Sequence, residues 1–199
     1  MSDLENLCLK LNEIGAIKFG DFTLKSGLKS PIYIDLRVLV SFPLVLKMTA
    51  QEMAIQAKSL QYDSLCGIPY TALPIATLLS QELNKPLIYA RKETKDYGTK
   101  RKIEGVFKEG QTILVIDDLI TDGGSKFETI QPLEEAGLKI KDILVLVDRE
   151  QGGAKTLKEK GYNLHAVIGI KHLLSVLNKH GKLSDEKVKE ILDYLEKKN

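Results

Sequence analysis

Residues 112–129, TILVIDDLITDGGSKFET, decide how the rest of the chain is interpreted. The stretch begins with five apolar or β-branched residues, which is the length of a short buried strand. Two adjacent carboxylates, Asp117 and Asp118, come next, and a polar loop containing two glycines follows at 121–125. Apolar residues then recur at about one-turn spacing. The stretch therefore predicts a strand, an acidic pair, a loop of small residues (the phosphate loop, 121–125) and a helix.

This order of elements suits a sugar phosphate. A loop of small residues that leads into a helix presents unpaired N–H groups at the positive end of the helix dipole, where a phosphate binds. Adjacent carboxylates can accept hydrogen bonds from vicinal hydroxyls or lie near a hydrated Mg²⁺. A Walker loop requires lysine before the serine, whereas Lys126 follows Ser125, and the dinucleotide fingerprint G-x-G-x-x-G is absent here. The alternative is a solvated loop capped by Asp and Ser, which the ordered run as a whole disfavours.

The composition is that of a soluble globular protein. The chain has 199 residues, 43% of them hydrophobic and 28% charged, with a net charge of +2. We expect one domain over residues 1–199, a cytoplasmic location, and neither nucleic acid nor membrane as a partner. Cys8 and Cys66 lack metal-binding spacing and are expected to be reduced core thiols. The polar, acidic N-terminus does not have the pattern of a signal peptide.

Alternation of strand and helix patterns from residue 62 onward predicts an α/β fold with a parallel sheet and helices on both faces. The predicted strands lie at about 63–68, 87–91, 112–117, 143–148 and 164–168, and the helices at about 72–83, 125–136, 154–160 and 171–180. Further helices are predicted after Ser2 and after Ser184, and another is predicted to begin after Ser41, which would cap it. Short strands around residues 17–35 lie outside the alternation.

Polar clusters follow four of the predicted strands, and ligands of open α/β sheets bind at that edge. These clusters are residues 67–71, Arg91 with Lys92, the acidic pair, and residues 148–150. Residues 92–110 form a long, basic connection that we expect to be too charged to pack against its own sheet. It is either a disordered surface excursion or a mobile lid whose cations close over an anionic leaving group.

Four blocks of the chain resemble the type I phosphoribosyltransferases and, among them, the orotate phosphoribosyltransferases. The blocks are FTLKSG at 22–27, RKETKDYG at 91–98, the stretch 112–129, and DREQGG at 148–153. The resemblance implies a core over about residues 41–199 and a small hood over about residues 1–40. It implies Mg²⁺-dependent transfer of the phosphoribosyl group of phosphoribosyl pyrophosphate (PRPP) to orotate in pyrimidine biosynthesis, giving orotidine 5′-monophosphate and pyrophosphate. It also implies a homodimer whose lid, 92–110, reaches across the interface.

The resemblance assigns roles to individual residues. Lys95, Asp117 and Asp118 would be catalytic, with Mg²⁺ held mainly by PRPP near the two aspartates. PRPP would be bound by Lys25, Tyr70, Thr71, Arg91, Lys92, Lys95, Tyr97, Asp117, Asp118, Leu119, Ile120, Thr121, Asp122, Gly123, Gly124 and Ser125. Orotate would be bound by Ser26, Ile32, Tyr33, Thr121 and Arg149.

Three positions depart from the family pattern. Many bacterial relatives have histidine at the position of Tyr97 and lysine at that of Thr71. Asp122 places an acid beside the phosphate, so only its backbone amide is expected to bind. The alternative for Arg149 is a salt bridge to a neighbouring acid, Asp148 or Glu150.

Two alternative functions remain at this point. One is transfer to another base, which the orotate-side residues Lys25, Tyr33 and Arg149 disfavour. The other is a PRPP-sensing regulator without catalysis, which would not need Lys95. His165, His172 and His180 lack metal-ligand spacing and are expected to have no catalytic role.

Overall fold

The computed structural model describes residues 2–23, 29–91 and 102–196. Within these ranges the helices are α1 (Asp3–Glu13), α2 (Pro43–Ala57), α3 (Ala72–Leu83), α4 (Phe127–Glu135), α5 (Gly153–Glu159), α6 (Ile170–Lys179) and α7 (Asp185–Glu196). The strands are β1 (Ile17–Thr23), β2 (Lys29–Ile34), β3 (Ser64–Gly67), β4 (Leu87–Ala90), β5 (Ile103–Glu104), β6 (Thr112–Ile120), β7 (Lys139–Asp148) and β8 (Asn163–Gly169). No helix in these ranges is both long and apolar enough to cross a membrane.

The main sheet has six strands in the order β5-β4-β3-β6-β7-β8. Its strands pair in parallel except β5, which runs antiparallel to β4 at one edge. β1 and β2 form a separate antiparallel pair within the region of the predicted hood. The α/β fold class with a mostly parallel sheet is therefore confirmed, and β6, which carries the acidic pair, lies at the centre of the sheet.

Helices cover both faces of this sheet because its central strands are apolar on both sides. Alternate residues of β6 belong to different core clusters: Leu114 packs in the larger cluster and Ile113 in the smaller one. The larger cluster includes residues of α1, α2, α3, α6 and α7, and the smaller one includes residues of α4 and α5. The site at the sheet edge is thus supported from two sides by close-packed side chains.

The structure corrects several element boundaries. β6 continues through Ile120, so the acidic pair lies inside the strand rather than after it. The strand continues because β7 pairs with it as far as Ile120 opposite Asp148, and this pairing outweighs the low strand propensity of aspartate. The prediction that Ser41 caps a helix is wrong, because α2 begins at Pro43 with Phe42 as its N-cap. By contrast, α3 has the predicted bounds.

The connection 92–110 is also corrected in part. Residues 92–101 lie outside the described residues, so the predicted lid cations are not placed. The rest of the connection contains β5, whose Ile103 is buried opposite Ala90 of β4. The backbone N–H of Arg91 donates to the carbonyl of Lys102 over 2.8 Å. The expectation that the connection would not pack against its own sheet is therefore wrong for this part.

Candidate active site

The carboxyl ends of β3, β4, β6 and β7 open into one cleft of about 610 Å³, a volume typical of small-molecule sites. The predicted site residues that line it are Thr71, Arg91, Asp117, Asp118, Leu119, Thr121, Asp122, Gly123, Ser125 and Arg149. Ala90, Lys126, Glu128 and Thr129 also line it, although nothing in the sequence pattern singled them out. Three polar clusters predicted from separate stretches of sequence thus meet at one place with residues 67–71, which by the family resemblance would hold the diphosphate of PRPP (the diphosphate loop).

The two carboxylates of the acidic pair have different surroundings. Asp117 is almost fully buried: its Oδ1 accepts a hydrogen bond from the N–H of Asp118 over 2.8 Å, and its Oδ2 forms an ion pair with Lys126. Asp118 is part-buried, and its Oδ1 accepts from the N–H of Leu119 over 2.9 Å. The carboxylate of Asp117 is therefore occupied by protein groups at both oxygens, whereas Asp118 retains acceptor capacity for a ligand.

Burial and the neighbouring carboxylate of Asp117 raise the pKa of Asp118 to about 7, against the opposing effect of Lys126. Burial disfavours the charged form of an acid, and a second carboxylate nearby adds repulsion. A ligand that brings hydroxyl donors or positive charge would favour the ionised form. Asp118 is thus poised to respond to what binds in the cleft.

The phosphate loop is held by contacts at both of its ends. Gly123 has a φ of +86°, a conformation that suits glycine. The side chain of Asp122 is exposed and folds back on the loop, where its Oδ1 accepts from the N–H of Gly124 over 3.0 Å. The N–H of Gly153 donates to the carbonyl of Thr121 over 3.0 Å. A side chain at Gly153 would come within 2.8 Å of that carbonyl, so the loop can approach α5 only because this residue is glycine.

The diphosphate loop connects β3 to α3. The N–H of Ile68 donates to the carbonyl of Ile116 over 2.9 Å, which ties the loop to β6 beside the acidic pair. The peptide bond between Pro69 and Tyr70 is cis. No side chain of the described residues caps the N-terminus of α3, and the N–H of Leu73 donates to the carbonyl of Tyr70 over 3.2 Å, so other N–H groups of the first turn remain available to an anion.

Arg91 supplies a cation at the end of β4. Its guanidinium forms an ion pair with Glu104 of β5, and both side chains are about one-third exposed. Because Arg91 also lines the cleft, it can interact with a bound anion only while sharing or releasing Glu104. The pair also links the wall of the cleft to β5.

Arg149 is a buried cation without a protein partner for two of its nitrogens. Its exposed fraction is 6%, and Nε and Nη2 have no acceptor among the residues that the structure describes. The expected alternative, a salt bridge to a neighbouring acid, is not formed: Asp148 accepts from the N–H of Glu150, and Glu150 lies 3.7 Å from Lys171. Burial lowers the pKa of Arg149. An unpaired guanidinium lining the cleft matches a planar carboxylate on a ligand.

Other predicted residues lie away from the cleft or outside the described ranges. Ile32 is fully buried in the larger core cluster, and the hydroxyl of Tyr33 accepts from Arg37 over 3.0 Å. Tyr70, Gly124 and the buried Ile120 do not line the cleft as the described residues define it. Lys25, Ser26, Lys92, Lys95 and Tyr97 lie outside the described residues.

The cleft offers few protein ligands for a metal. No group of three or more His, Cys, Asp or Glu side chains in the described ranges could hold an ion. Asp118 still fits Mg²⁺, which is commonly bound through one or two carboxylates together with substrate phosphates. His165 pairs with Asp142 over 2.8 Å and does not line the cleft.

Comparisons with known proteins agree with this architecture. Residues 47–171 match the phosphoribosyl transferase domain family. The chain is similar to uridine 5′-monophosphate synthase of Bos taurus, with 43% identity over 97% of this chain and 41% of that protein. It is similar to orotate phosphoribosyltransferase of Chlamydia caviae, with 42% identity over 91% of this chain and 89% of that protein. The solved orotate phosphoribosyltransferase of Aeropyrum pernix superposes with a TM-score of 0.76 at 33% identity, over 88% of this chain and 98% of that one. The chain thus spans about two fifths of the bovine relative and most of the other two.

Proposed function

The chain belongs to the phosphoribosyltransferase family, and we propose that it transfers the phosphoribosyl group of PRPP to N1 of orotate. The products are orotidine 5′-monophosphate and pyrophosphate, a step of pyrimidine biosynthesis. The observation that carries this assignment is the buried guanidinium of Arg149, whose Nε and Nη2 have no acceptor in the described part of the chain, in the same cleft as the acidic pair and the phosphate loop. A base with a carboxylate would satisfy that guanidinium, whereas uracil, hypoxanthine and adenine lack one.

PRPP is bound by groups on three strand ends. The N–H groups of the phosphate loop bind the 5-phosphate, and the uncapped N-terminus of α3 binds the diphosphate together with Arg91. Asp118 accepts hydrogen bonds from the ribose hydroxyls, because its neighbour Asp117 is already occupied by protein donors. Orotate lies against Arg149 at the end of β7. These contacts place the base and the sugar on the same side of the sheet edge.

The reaction forms the bond from orotate N1 to C1 of the ribose as the bond from C1 to the diphosphate oxygen breaks. Orotate is already an anion, so strong general-base catalysis is not required. The ribose ring becomes positive in the transition state, and the carboxylate of Asp118 stabilises it electrostatically. Negative charge builds on the leaving diphosphate, and cations of the cleft wall and the lid, Arg91 and Lys95, stabilise it.

Three further features belong to this proposal. Asp118 would hold Mg²⁺ together with the phosphates of PRPP, and the ion would supply positive charge that neutralises the diphosphate. The protein is a cytoplasmic homodimer in which the part of the lid that precedes β5 closes over the neighbouring site. The hood, about residues 1–40, covers the base, with Lys25 reaching PRPP. Support for these features comes from family membership and from the sequence blocks described above.

A product assay tests the proposed function. Orotate, PRPP and Mg²⁺ are supplied together and with each one omitted in turn, and both products are quantified. The expected result is orotidine 5′-monophosphate and pyrophosphate in equal amounts, only when all three are present. Binding of PRPP without formation of either product would contradict a transferase and favour a PRPP-sensing regulator.

A further inference from the structure

Lys126 is a charged residue in the interior of the site with no role in the scheme above. Its exposed fraction is 5%, and a lysine is rarely buried to that extent without a specific partner. Its backbone ends the short 3₁₀ turn Gly124–Lys126 that follows the phosphate loop. Its side chain returns to β6, where it forms the ion pair with Asp117 and donates to the carbonyl of Leu119 over 2.7 Å.

These contacts connect the two ends of the phosphate loop. The loop begins where β6 ends, and Lys126 bonds back to two residues of that strand. The N–H of Lys126 also donates to the carbonyl of Gly123 over 3.1 Å. One ammonium group therefore fixes both the closure of the loop and the direction of the Asp117 carboxylate.

The ion pair also makes the two adjacent carboxylates unequal. Lys126 forms its ion pair with Asp117, whereas Oδ1 of Asp118 accepts from the N–H of Leu119. Without Lys126, Asp117 would be a buried anion beside a second carboxylate, which is costly. With Lys126 in place, the charge of Asp117 is balanced inside the protein, and the charge of Asp118 is left for the ligand.

We propose that Lys126 is a positioning residue for phosphoribosyl transfer, which acts through Asp117 to hold the phosphate loop closed and leave Asp118 as the carboxylate that meets the ribose. The inference rests on the proposed function and adds a residue to it. It requires the effects of Lys126 and Asp117 to be coupled, because both belong to one ion pair. It also requires these effects to concern PRPP binding rather than orotate binding, since Arg149 follows β7 and Lys126 bonds instead to Asp117 and Leu119 of β6.

A double-mutant cycle tests this assignment. The proteins are wild type, Lys126→Met, Asp117→Asn and Asp117→Asn/Lys126→Met, with Lys179→Met as control because Lys179 pairs with Glu5 at the surface. For Lys126→Met we expect kcat and PRPP affinity to fall roughly tenfold or more while KM for orotate changes by less than about twofold. The double variant should match Asp117→Asn in kcat within about twofold. The control should match wild type.

Two results would overturn the proposal. One is additivity, in which the double variant loses the factors of both single variants and Lys126 therefore acts independently of Asp117. The other is a Lys126→Met protein that has wild-type kcat and PRPP affinity but a lowered Tm. That result would mean that Lys126 only stabilises the fold. If Lys126→Met does not fold, the comparison of Asp117→Asn with the double variant decides, because neither contains a buried unpaired carboxylate at 117.

The same proteins separate failure of this inference from failure of the proposed function. An absence of orotate turnover in wild type overturns the proposed function alone. The dissociation constant of PRPP, measured by calorimetry, provides a second cycle that needs no turnover. Equal PRPP affinities for Asp117→Asn and the double variant would then support the role of Lys126, and additive losses would overturn it.

Discussion

In the proposed function the side chain of Arg149 binds orotate, but it lowers the stability of the fold while no ligand is bound. Two of its nitrogens are buried without acceptors in the described part of the chain. For Arg149→Met we expect KM for orotate to rise roughly ten- to a hundredfold, the value of a hydrogen bond to a charged group. Because the substitution removes a buried cation that lacks partners, Tm without substrate should stay the same or rise. Steady-state kinetics and calorimetry measure the two effects.

Lys171→Met is the matched control for Arg149→Met. Lys171 lies close to the same strand end, where it pairs with Glu150, and it does not line the cleft. Its loss should leave KM for orotate unchanged. An Arg149→Met protein with normal KM and a clearly lower Tm would instead show that the guanidinium stabilises the fold.

Asp118 gives a prediction that depends on pH. Its pKa is raised from 3.8 to about 7 in the folded protein, mainly by burial and by Asp117. Between these values the folded state retains a proton that the unfolded chain releases, so this residue lowers stability as pH rises from about 4 to about 7. Asp118→Asn has no such proton. The difference in Tm between the Asp118→Asn protein and wild type should therefore be near zero at pH 4. At pH 8 the variant should have the higher Tm.

The same substitution should lower kcat roughly ten- to a thousandfold, because a charge aimed at the transition state is lost. Asp193→Asn, at an exposed position on α7, is the control and should change neither quantity. A normal kcat combined with a lower Tm at pH 8 would mean that Asp118 only stabilises the fold.

At the scale of single residues, sequence patterns identified Asp117, Asp118 and Arg149 as candidate site residues. They did not reveal the ion pair between Asp117 and Lys126. Adjacent aspartates before a small-residue loop are visible as a pattern, and so is an arginine after a strand. The ion pair of Lys126 with Asp117 is not, because it joins residues nine positions apart through a turn whose geometry depends on packing. A lysine next to Ser125 could be read only as a mismatch to the Walker motif.

At the scale of elements, the close contact between α5 and the phosphate loop allows a direct test. In Gly153→Ala the new Cβ would come within 2.8 Å of the carbonyl of Thr121 and within 2.7 Å of Ile120. The loop must move, and we expect KM for PRPP to rise roughly ten- to a hundredfold, as for a misplaced binding group. KM for orotate should change much less.

Ala154→Gly separates loop displacement from loss of helix stability. Ala154 is exposed on α5. Its replacement by glycine lowers helix propensity, which costs up to about 1 kcal/mol, and adds no atom near the phosphate loop. It should lower Tm slightly and leave KM for PRPP unchanged. If both variants raised KM for PRPP equally, the stability of α5 rather than the glycine contact would be responsible.

The alternation of elements was predictable, whereas the extension of β6 and the existence of β5 were not. Periodicity identified α3 with its observed bounds because its apolar face is continuous. The extension of β6 through Ile120 depends on pairing with β7, which no local pattern encodes. β5 was missed for the same reason: two residues in a charged connection form a strand only because the edge of β4 accepts them.

At the scale of the whole molecule, the proposed dimer predicts complementation between inactive proteins. Lys95→Ala and Asp118→Asn are mixed under conditions that exchange subunits. If the lid acts across the interface, each mixed dimer has one site with both defects and one with neither. Random exchange makes about half of the dimers mixed, so about a quarter of all sites should recover under C₂ symmetry. No recovery, with exchange confirmed independently, would confine each site to one chain.

The central claim is that one cleft recognises PRPP through the phosphate loop and Asp118, and a carboxylated base through Arg149. The most direct test is kcat/KM for orotate, uracil, hypoxanthine and adenine, each measured with PRPP and Mg²⁺. We predict that orotate exceeds each of the others by roughly a hundredfold or more, because a buried polar group left unpaired disfavours a base that lacks the carboxylate. Equal or faster turnover of uracil or of either purine would contradict the claim.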